Sequence, residues 1–245
     1  MAQYRPDWAA PDSSLHKRGY RVHQGPAPLS EVLAAGMLKI SGWDCKTSLI
    51  DPFCGSGTLL TEAALMSGNI APGIFRKYFG FQKWRDFDKT LWDQLISDAR
   101  GKEQSDLIPS LTGIDIERKA VGFARENLME IGLSDKVKLV NSSFFDFRPQ
   151  GDGPFFLITN PPYGERIMPR DLFELNKEIG NALKRYYPGS VAWLLSGSRE
   201  AEKSIGLKPA KRIPLWNGPI ECKFLKFEMY QGSKKMSSGN QSFNQ

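Results

Sequence analysis

Histidine and cysteine are scarce here: 245 residues hold two histidines, His16 and His23, and three cysteines, Cys45, Cys54 and Cys222. The cysteines form no CxxC pair and no disulfide framework, and with so few histidines a structural zinc site is poorly supplied. Both histidines lie near the amino end among polar and basic residues, which argues against a Ser-His-Asp hydrolase. No apolar run approaches the roughly 20 residues of a membrane span. The start, Met1 to Asp7, has no apolar stretch like that of a secretory signal, so a cytoplasmic protein is expected. Charge of one sign is also limited. The formal net charge of +6 permits an anionic partner such as nucleic acid without demanding one. What is present is an ordinary globular share, 40% hydrophobic and 11% aromatic, enough for one large domain or two small ones.

The apolar pattern predicts an α/β fold. Residues 1 to about 26, polar, aromatic and basic, read as a linker or edge strand. Pro28 to Ile40 carries Leu29, Val32, Leu33, Met37 and Ile40 at helical spacing. Ser48 to Asp51 reads as a short strand, Pro52 to Gly57 as a glycine turn, and Thr58 to Ser67 as a helix. Strand, glycine turn and helix open a doubly wound unit. The pattern loosens from Gly68 to Ser110, an expected insertion with one helix near its end. Strands follow at Leu111–Asp115, Val137–Val140, Phe155–Ile158 and Ser190–Leu195, with helices over about Glu117–Ile131 and Leu172–Tyr186. Ile213–Trp216 and Cys222–Met229 flank Asn217-Gly218-Pro219, a turn signal that predicts a final antiparallel pair. The whole is expected to be a doubly wound, mostly parallel sheet spanning 27–230, and the polar tail 231–245 is expected to be disordered.

Chemistry is concentrated at the strand ends. Phe155 to Ile158 runs into Asn160-Pro161-Pro162-Tyr163, where two prolines stop the strand and fix an amide and an aromatic ring at its carboxyl end. Open α/β sheets bind ligands at that place. A planar amine needs such groups, acceptors for its N–H bonds and a face to stack on, although a turn with a capping Asn has the same letters.

Asp51-Pro52-Phe53-Cys54-Gly55-Ser56-Gly57 is not a Walker loop, because no Gly-Lys-Ser/Thr follows. Leu60 stands where the third glycine of a dinucleotide fingerprint belongs, which disfavours a diphosphate. The turn suits a cofactor with an amino-acid tail and a nucleoside, with Asp51 taking an ammonium directly or through water. Asp115, also at a strand end, is placed to accept from ribose hydroxyls, or to cap the helix that follows. Asp146, after the third strand, could accept from an adenine amine with Phe144 or Phe145 near the ring, or be a solvated loop residue.

With these strings in hand the chain resembles the class I S-adenosylmethionine-dependent methyltransferases that act on exocyclic amines. More closely it is similar to the bacterial 23S rRNA guanine-N2 methyltransferases of the THUMP-associated, RlmL-like family. The likeness runs from about Ser14 to Tyr230. It rests on Leu15-His16-Lys17-Arg18-Gly19-Tyr20-Arg21, on Asp51 to Leu60 with Glu62-Ala63-Ala64, and on Ala71-Pro72-Gly73. Asn160 to Arg166 and Asn217-Gly218-Pro219-Ile220-Glu221-Cys222 complete it. That family carries a THUMP RNA-binding domain before the Leu-His-Lys-Arg segment, so residues 1–26 are expected to be the remnant of a missing amino-terminal domain.

The resemblance implies S-adenosylmethionine as cofactor, no metal, and ribosomal RNA as partner, met before full subunit assembly. Asn160, Pro161 and Tyr163 would be catalytic: two acceptors for the amine and a ring stacking on the base. Asp51, Phe53, Cys54, Gly55, Gly57, Asp115 and Asp146 would hold the cofactor. Lys17, Arg18, Arg21, Arg166, Lys211 and Arg212 would contact RNA, with Arg76-Lys77 and Lys208 to Arg212 as basic stretches. Two other readings remain open at this point, an adenine-N6 DNA methyltransferase and a non-catalytic nucleic-acid-binding module.

Overall fold

The computed structural model describes residues 15–23, 29–151, 153–163 and 168–231. Residues 232–245 of the expected tail lie outside the described residues, as do residues 1–14 and Arg166. Seven strands make one sheet in the order β3-β2-β1-β4-β5-β7-β6. They are β1 (Leu49–Asp51), β2 (Leu111–Asp115), β3 (Val137–Asn141), β4 (Phe156–Thr159), β5 (Val191–Ser196), β6 (Lys211–Asn217) and β7 (Ile220–Glu228). β1 to β5 are mutually parallel, whereas β7 runs antiparallel to both β5 and β6. From β1 the chain winds outward to β2 and β3, then returns to β4 on the other side. β1 and β4 therefore form the topological switch, where such sheets open a crevice at their carboxyl ends.

The helices cover both faces, as buried parallel strands require. One core joins Leu38 of α1 (Glu31–Ser41) and Leu60, Ala63 and Ala64 of α2 (Thr58–Ser67) with Leu49, Ile158, Trp193 and Phe224 of the sheet. Leu128 of α4 (Arg118–Glu130) belongs to the same cluster. On the other face Ile179 and Leu183 of α5 (Pro169–Tyr186) pack with Ile50, Leu157, Leu194 and Phe227. Each fully buried aliphatic chain contributes about 1.5–3 kcal/mol relative to exposure.

Local chemistry sets the boundaries. α1 begins at Glu31 because Ser30 Oγ accepts from the Leu33 N–H, and it stops at Gly42, which takes φ 74°. In the insertion, Asp88 caps α3 (Lys89–Gly101) by accepting from the Leu91 N–H. A four-residue helix, α6 (Arg199–Glu202), follows β5 and was not expected from the pattern. The segment 15–23 departs from its expectation. It forms no strand, and Tyr20 is buried in the core, with its hydroxyl donating to Glu62 at 3.1 Å.

Candidate functional site

The carboxyl ends of β1 and β4 meet through Asp51. Its side chain is 1% exposed, and its Oδ1 accepts from the Thr159 hydroxyl at 2.6 Å and the Phe53 N–H at 3.2 Å. Burial pushes its carboxyl up to about 7 and the charge of Asp115 adds to that, while the two hydrogen bonds oppose the shift. The group lies enclosed beneath the turn and not at an open rim. Phe53, half-buried, meets Phe144 edge-on at 5.8 Å.

The turn above it uses two left-handed glycines, Gly55 at φ 53° and Gly57 at φ 81°. A Cβ on Gly57 would lie 3.0 Å from Ala124 Cβ, so that glycine serves helix packing. A Cβ on Gly55 would meet nothing within 4 Å, so backbone there borders open space of the kind a ligand needs. Cys54, expected in the cofactor group, lies within the turn with its side chain turned inward. Its N–H donates to Ile114, its carbonyl accepts from Gly57, and its buried sulfur lies close to where a Gly113 Cβ would stand. Burial pushes the thiol well above its usual range.

Asp115 ties this turn to β2. One carboxylate oxygen accepts from the Gly55 N–H at 2.8 Å and the other from the Glu117 N–H at 2.9 Å. Each oxygen keeps a second lone pair for a ligand hydroxyl. The capping alternative fails, because the N-cap of α4 is Glu117. Asp146 is exposed in the turn after β3, whose first residue beyond the strand, Ser142, donates its N–H to the Asp115 carbonyl at 3.1 Å. Phe144 is corrected from adenine neighbour to core residue: it is buried, and it stacks on Tyr187 at 5.7 Å. Phe145 remains half-buried.

At the end of β4, Asn160 Oδ1 is buried and accepts no hydrogen bond from any described residue. A buried acceptor without a donor costs about 1–3 kcal/mol, so this oxygen is poised for a donor from outside the fold. Pro161 beside it is buried. Tyr163 departs from the expected stacking role. It is 4% exposed, and a Cβ on Gly197 would come within 2.5 Å of its ring. Its hydroxyl accepts from Asn217 Nδ2 at 2.8 Å. Packing on the β5 end thus covers the ring and leaves it little open face.

The basic candidates divide. Arg18 lies 3.4 Å from the buried Glu62, whose carboxyl burial pushes up and Arg18 pulls down. Arg21 lies 3.4 Å from the buried Glu31 and donates to the Leu29 carbonyl and the Thr58 hydroxyl. Both guanidiniums are therefore committed to holding segment 15–23 on α1 and α2, which corrects their assignment to RNA. Lys17, Lys211 and Arg212 are exposed. Three residues escaped the sequence reading. Thr159 anchors Asp51, and Asn217, whose string was read as a turn and as part of the family likeness, anchors Tyr163. Trp216, next to it, is 59% exposed at the hairpin tip. Among the described residues no helix is long and apolar enough to cross a membrane, and no cluster of His, Cys, Asp and Glu could hold a metal.

Comparison with known proteins matches residues 18–226 to the family model for the RMKL-like methyltransferase domain. The ribosomal RNA large subunit methyltransferase K/L of Marinomonas sp. (strain MWYL1) is 43% identical over 232 residues, covering 91% of this chain and 32% of the relative. SMU.472, named as a candidate methyltransferase and solved with SAH, superimposes with TM-score 0.82 at 32% identity, over 89% of this chain and 56% of that one. A predicted N6-adenine-specific DNA methylase from Listeria monocytogenes str. 4b F2365 gives TM-score 0.77 at 32% identity, over 89% and 55%. The chain spans between 30% and 56% of the length of the first curated relatives it matches.

Proposed function

This chain belongs to the RMKL-like methyltransferase-domain family, and we propose that it transfers a methyl group from S-adenosylmethionine to the N2 amine of a guanine in 23S ribosomal RNA. The observation that carries the reading is the buried, unpartnered Oδ1 of Asn160 across the β1/β4 switch from Asp51. The cofactor fits the residues present. The open backbone at Gly55, the buried charge of Asp51 and the spare lone pairs of Asp115 suit an amino-acid tail and a ribose, with exposed Asp146 toward the nucleobase. When bound, it supplies an electrophilic methyl group. The likeness to a chain solved with SAH supports that choice.

The residues of this chain do the rest. A guanine amine is a poor nucleophile because its lone pair is delocalised into the ring. Asn160 Oδ1 and the Pro161 carbonyl each accept one N–H. As the nitrogen pyramidalises and gains positive charge, both bonds strengthen, which is stabilisation of the transition state rather than of the ground state. Tyr163, held by Asn217, keeps the two acceptors at a fixed spacing. The product ammonium proton is acidic and leaves to water. The base must leave its stack to reach such a corner, which favours RNA not yet folded into a finished subunit, in the cytoplasm.

An adenine-N6 DNA methyltransferase is the second reading. The Listeria neighbour bears that name, and an adenine amine presents the same two hydrogens to Asn160 and Pro161. Incubation with labelled S-adenosylmethionine and undermodified large-subunit RNA or duplex DNA, followed by nucleoside mass analysis, separates the two. N2-methylguanine in RNA that disappears with Asn160→Ala is the expected result. Dominant N6-methyladenine in DNA would give the second reading the site, and no transfer to either polymer would leave a binding module.

A further inference from the structure

The insertion between α2 and β2 carries a surface that the methyl-transfer site does not use. Residues 76–85 read Arg-Lys-Tyr-Phe-Gly-Phe-Gln-Lys-Trp-Arg, four cations and no acid. Their aromatic rings sort into two sets. Phe79, Phe81 and Trp92 of α3 pack together with centroids 5.1–5.3 Å apart, and Phe87 joins at 6.0 Å, forming a small core of the insertion itself. Trp84 touches this core through one edge contact to Phe81 at 6.2 Å and is 54% exposed. Tyr78 is 38% exposed, with the Lys83 ammonium 5.6 Å from its ring centroid.

The mount is rigid. Arg76 lies 5.0 Å from the Phe79 ring centroid, and its guanidinium donates to the Lys17 carbonyl. A Cβ on Gly19 would fall 2.6 Å from the Phe75 carbonyl oxygen, so segment 15–20 and the insertion touch backbone to backbone. Lys77, Lys83 and Arg85, each next in sequence to one of the two outer rings, are exposed, and among the described residues none of the three pairs with a carboxylate.

We propose that Trp84 and Tyr78, flanked by Lys77, Lys83 and Arg85, dock an unpaired stretch of the substrate RNA by base stacking and phosphate contact. Large exposed rings suit unstacked bases, since every base has a π-face, and interleaved cations track the backbone between them. A duplex keeps its bases inside the stack and offers nothing to Trp84. A protein partner would have to bring matching acids, since residues 76–85 hold none and the first acid, the exposed Asp86, follows Arg85. The choice of RNA as the polymer rests on the function proposed above; the surface itself does not depend on methyl transfer.

The test is equilibrium binding of a fluorescent single-stranded RNA oligonucleotide, and of the same sequence as a duplex, to the full chain. Trp84→Ala should weaken single-strand binding about 10-fold or more, with Trp84→Phe recovering part of it and the salt slope unchanged. The triple change of Lys77, Lys83 and Arg85 to Ala should instead flatten the slope of log affinity against log salt by about 2, at ~0.7 per phosphate. Duplex binding should not depend on Trp84. Thermal unfolding and SAH binding check that each variant is folded. Wild-type affinity in the folded Trp84→Ala and Trp84→Phe proteins overturns the proposal, as does equal Trp84 dependence with duplex or no single-strand binding at all. If binding depends on Trp84 while no methyl reaches RNA, the function proposed above fails and this surface stands.

Discussion

Replacing Asp51 with asparagine should stabilise the unliganded protein at alkaline pH while weakening its hold on an ammonium-bearing ligand. Burial raises the Asp51 carboxyl from 3.8 to about 7, so the native state holds this proton over a range where the unfolded chain has released it. The consequence has a definite sign. Below the unfolded value the group is neutral in both states. As pH rises toward and through 7 the native state must ionise a sealed carboxyl, and stability is lost. Three units at ~1.36 kcal/mol each give a total loss on the order of 4 kcal/mol, of which roughly a third has developed by about pH 5.

Asparagine is neutral throughout and can offer its oxygen to both the Thr159 hydroxyl and the Phe53 N–H, the two donors that Asp51 Oδ1 now satisfies. Denaturant unfolding of wild type and Asp51→Asn should therefore diverge by about 3 kcal/mol between about pH 5 and about pH 8.5, whatever fixed offset the amide adds. A nearby ammonium lowers a carboxyl pKa by ~1–3 units. Wild-type affinity for S-adenosylmethionine should accordingly climb about 10-fold or more as pH rises toward 7 and level off above it, and the variant should stay flat. Parallel unfolding curves would refute the titration of Asp51 in this window. Parallel affinity curves would refute its role toward the ammonium.

Asn160→Ala should lower turnover roughly 100-fold, the usual effect of deleting one preorganised group, with SAH affinity intact by calorimetry; near-normal turnover would remove Asn160 from the chemistry. Gly197→Ala would push a methyl against the Tyr163 ring, so turnover should fall more than in Tyr163→Phe, which keeps the ring and loses the Asn217 bond; the reverse order would show that the hydroxyl, not ring packing, fixes the corner. Arg21→Ala leaves Glu31 buried without its partner and should cost about 3–5 kcal/mol in unfolding free energy. The salt slope of RNA binding should not change in that variant, whereas a slope reduced by ~0.7 would return Arg21 to the RNA interface.

Periodicity and punctuation alone decided most of the architecture. Thr58 to Ser67 and Leu111 to Asp115 appear with the expected bounds, because a glycine turn before a helix and an apolar run ending in an acid are written in consecutive residues. Asn217-Gly218 likewise announced the final hairpin. The order of the strands, β3-β2-β1-β4-β5-β7-β6, was read from the structure. What the tertiary structure decided was which side chains face outward. Tyr163 and Trp216 are both aromatic residues beside turn signals, yet packing against Gly197 buries one and the hairpin tip exposes the other. Arg18 and Arg21 read as a basic patch because their acidic partners, Glu62 and Glu31, come from helices elsewhere in the chain. Burial, and with it the raised pKa of Asp51 and the unpartnered oxygen of Asn160, depends on neighbours that sequence spacing does not encode. A local string sets backbone conformation through the few atoms around each bond. Solvent exclusion is set by everything that folds against it.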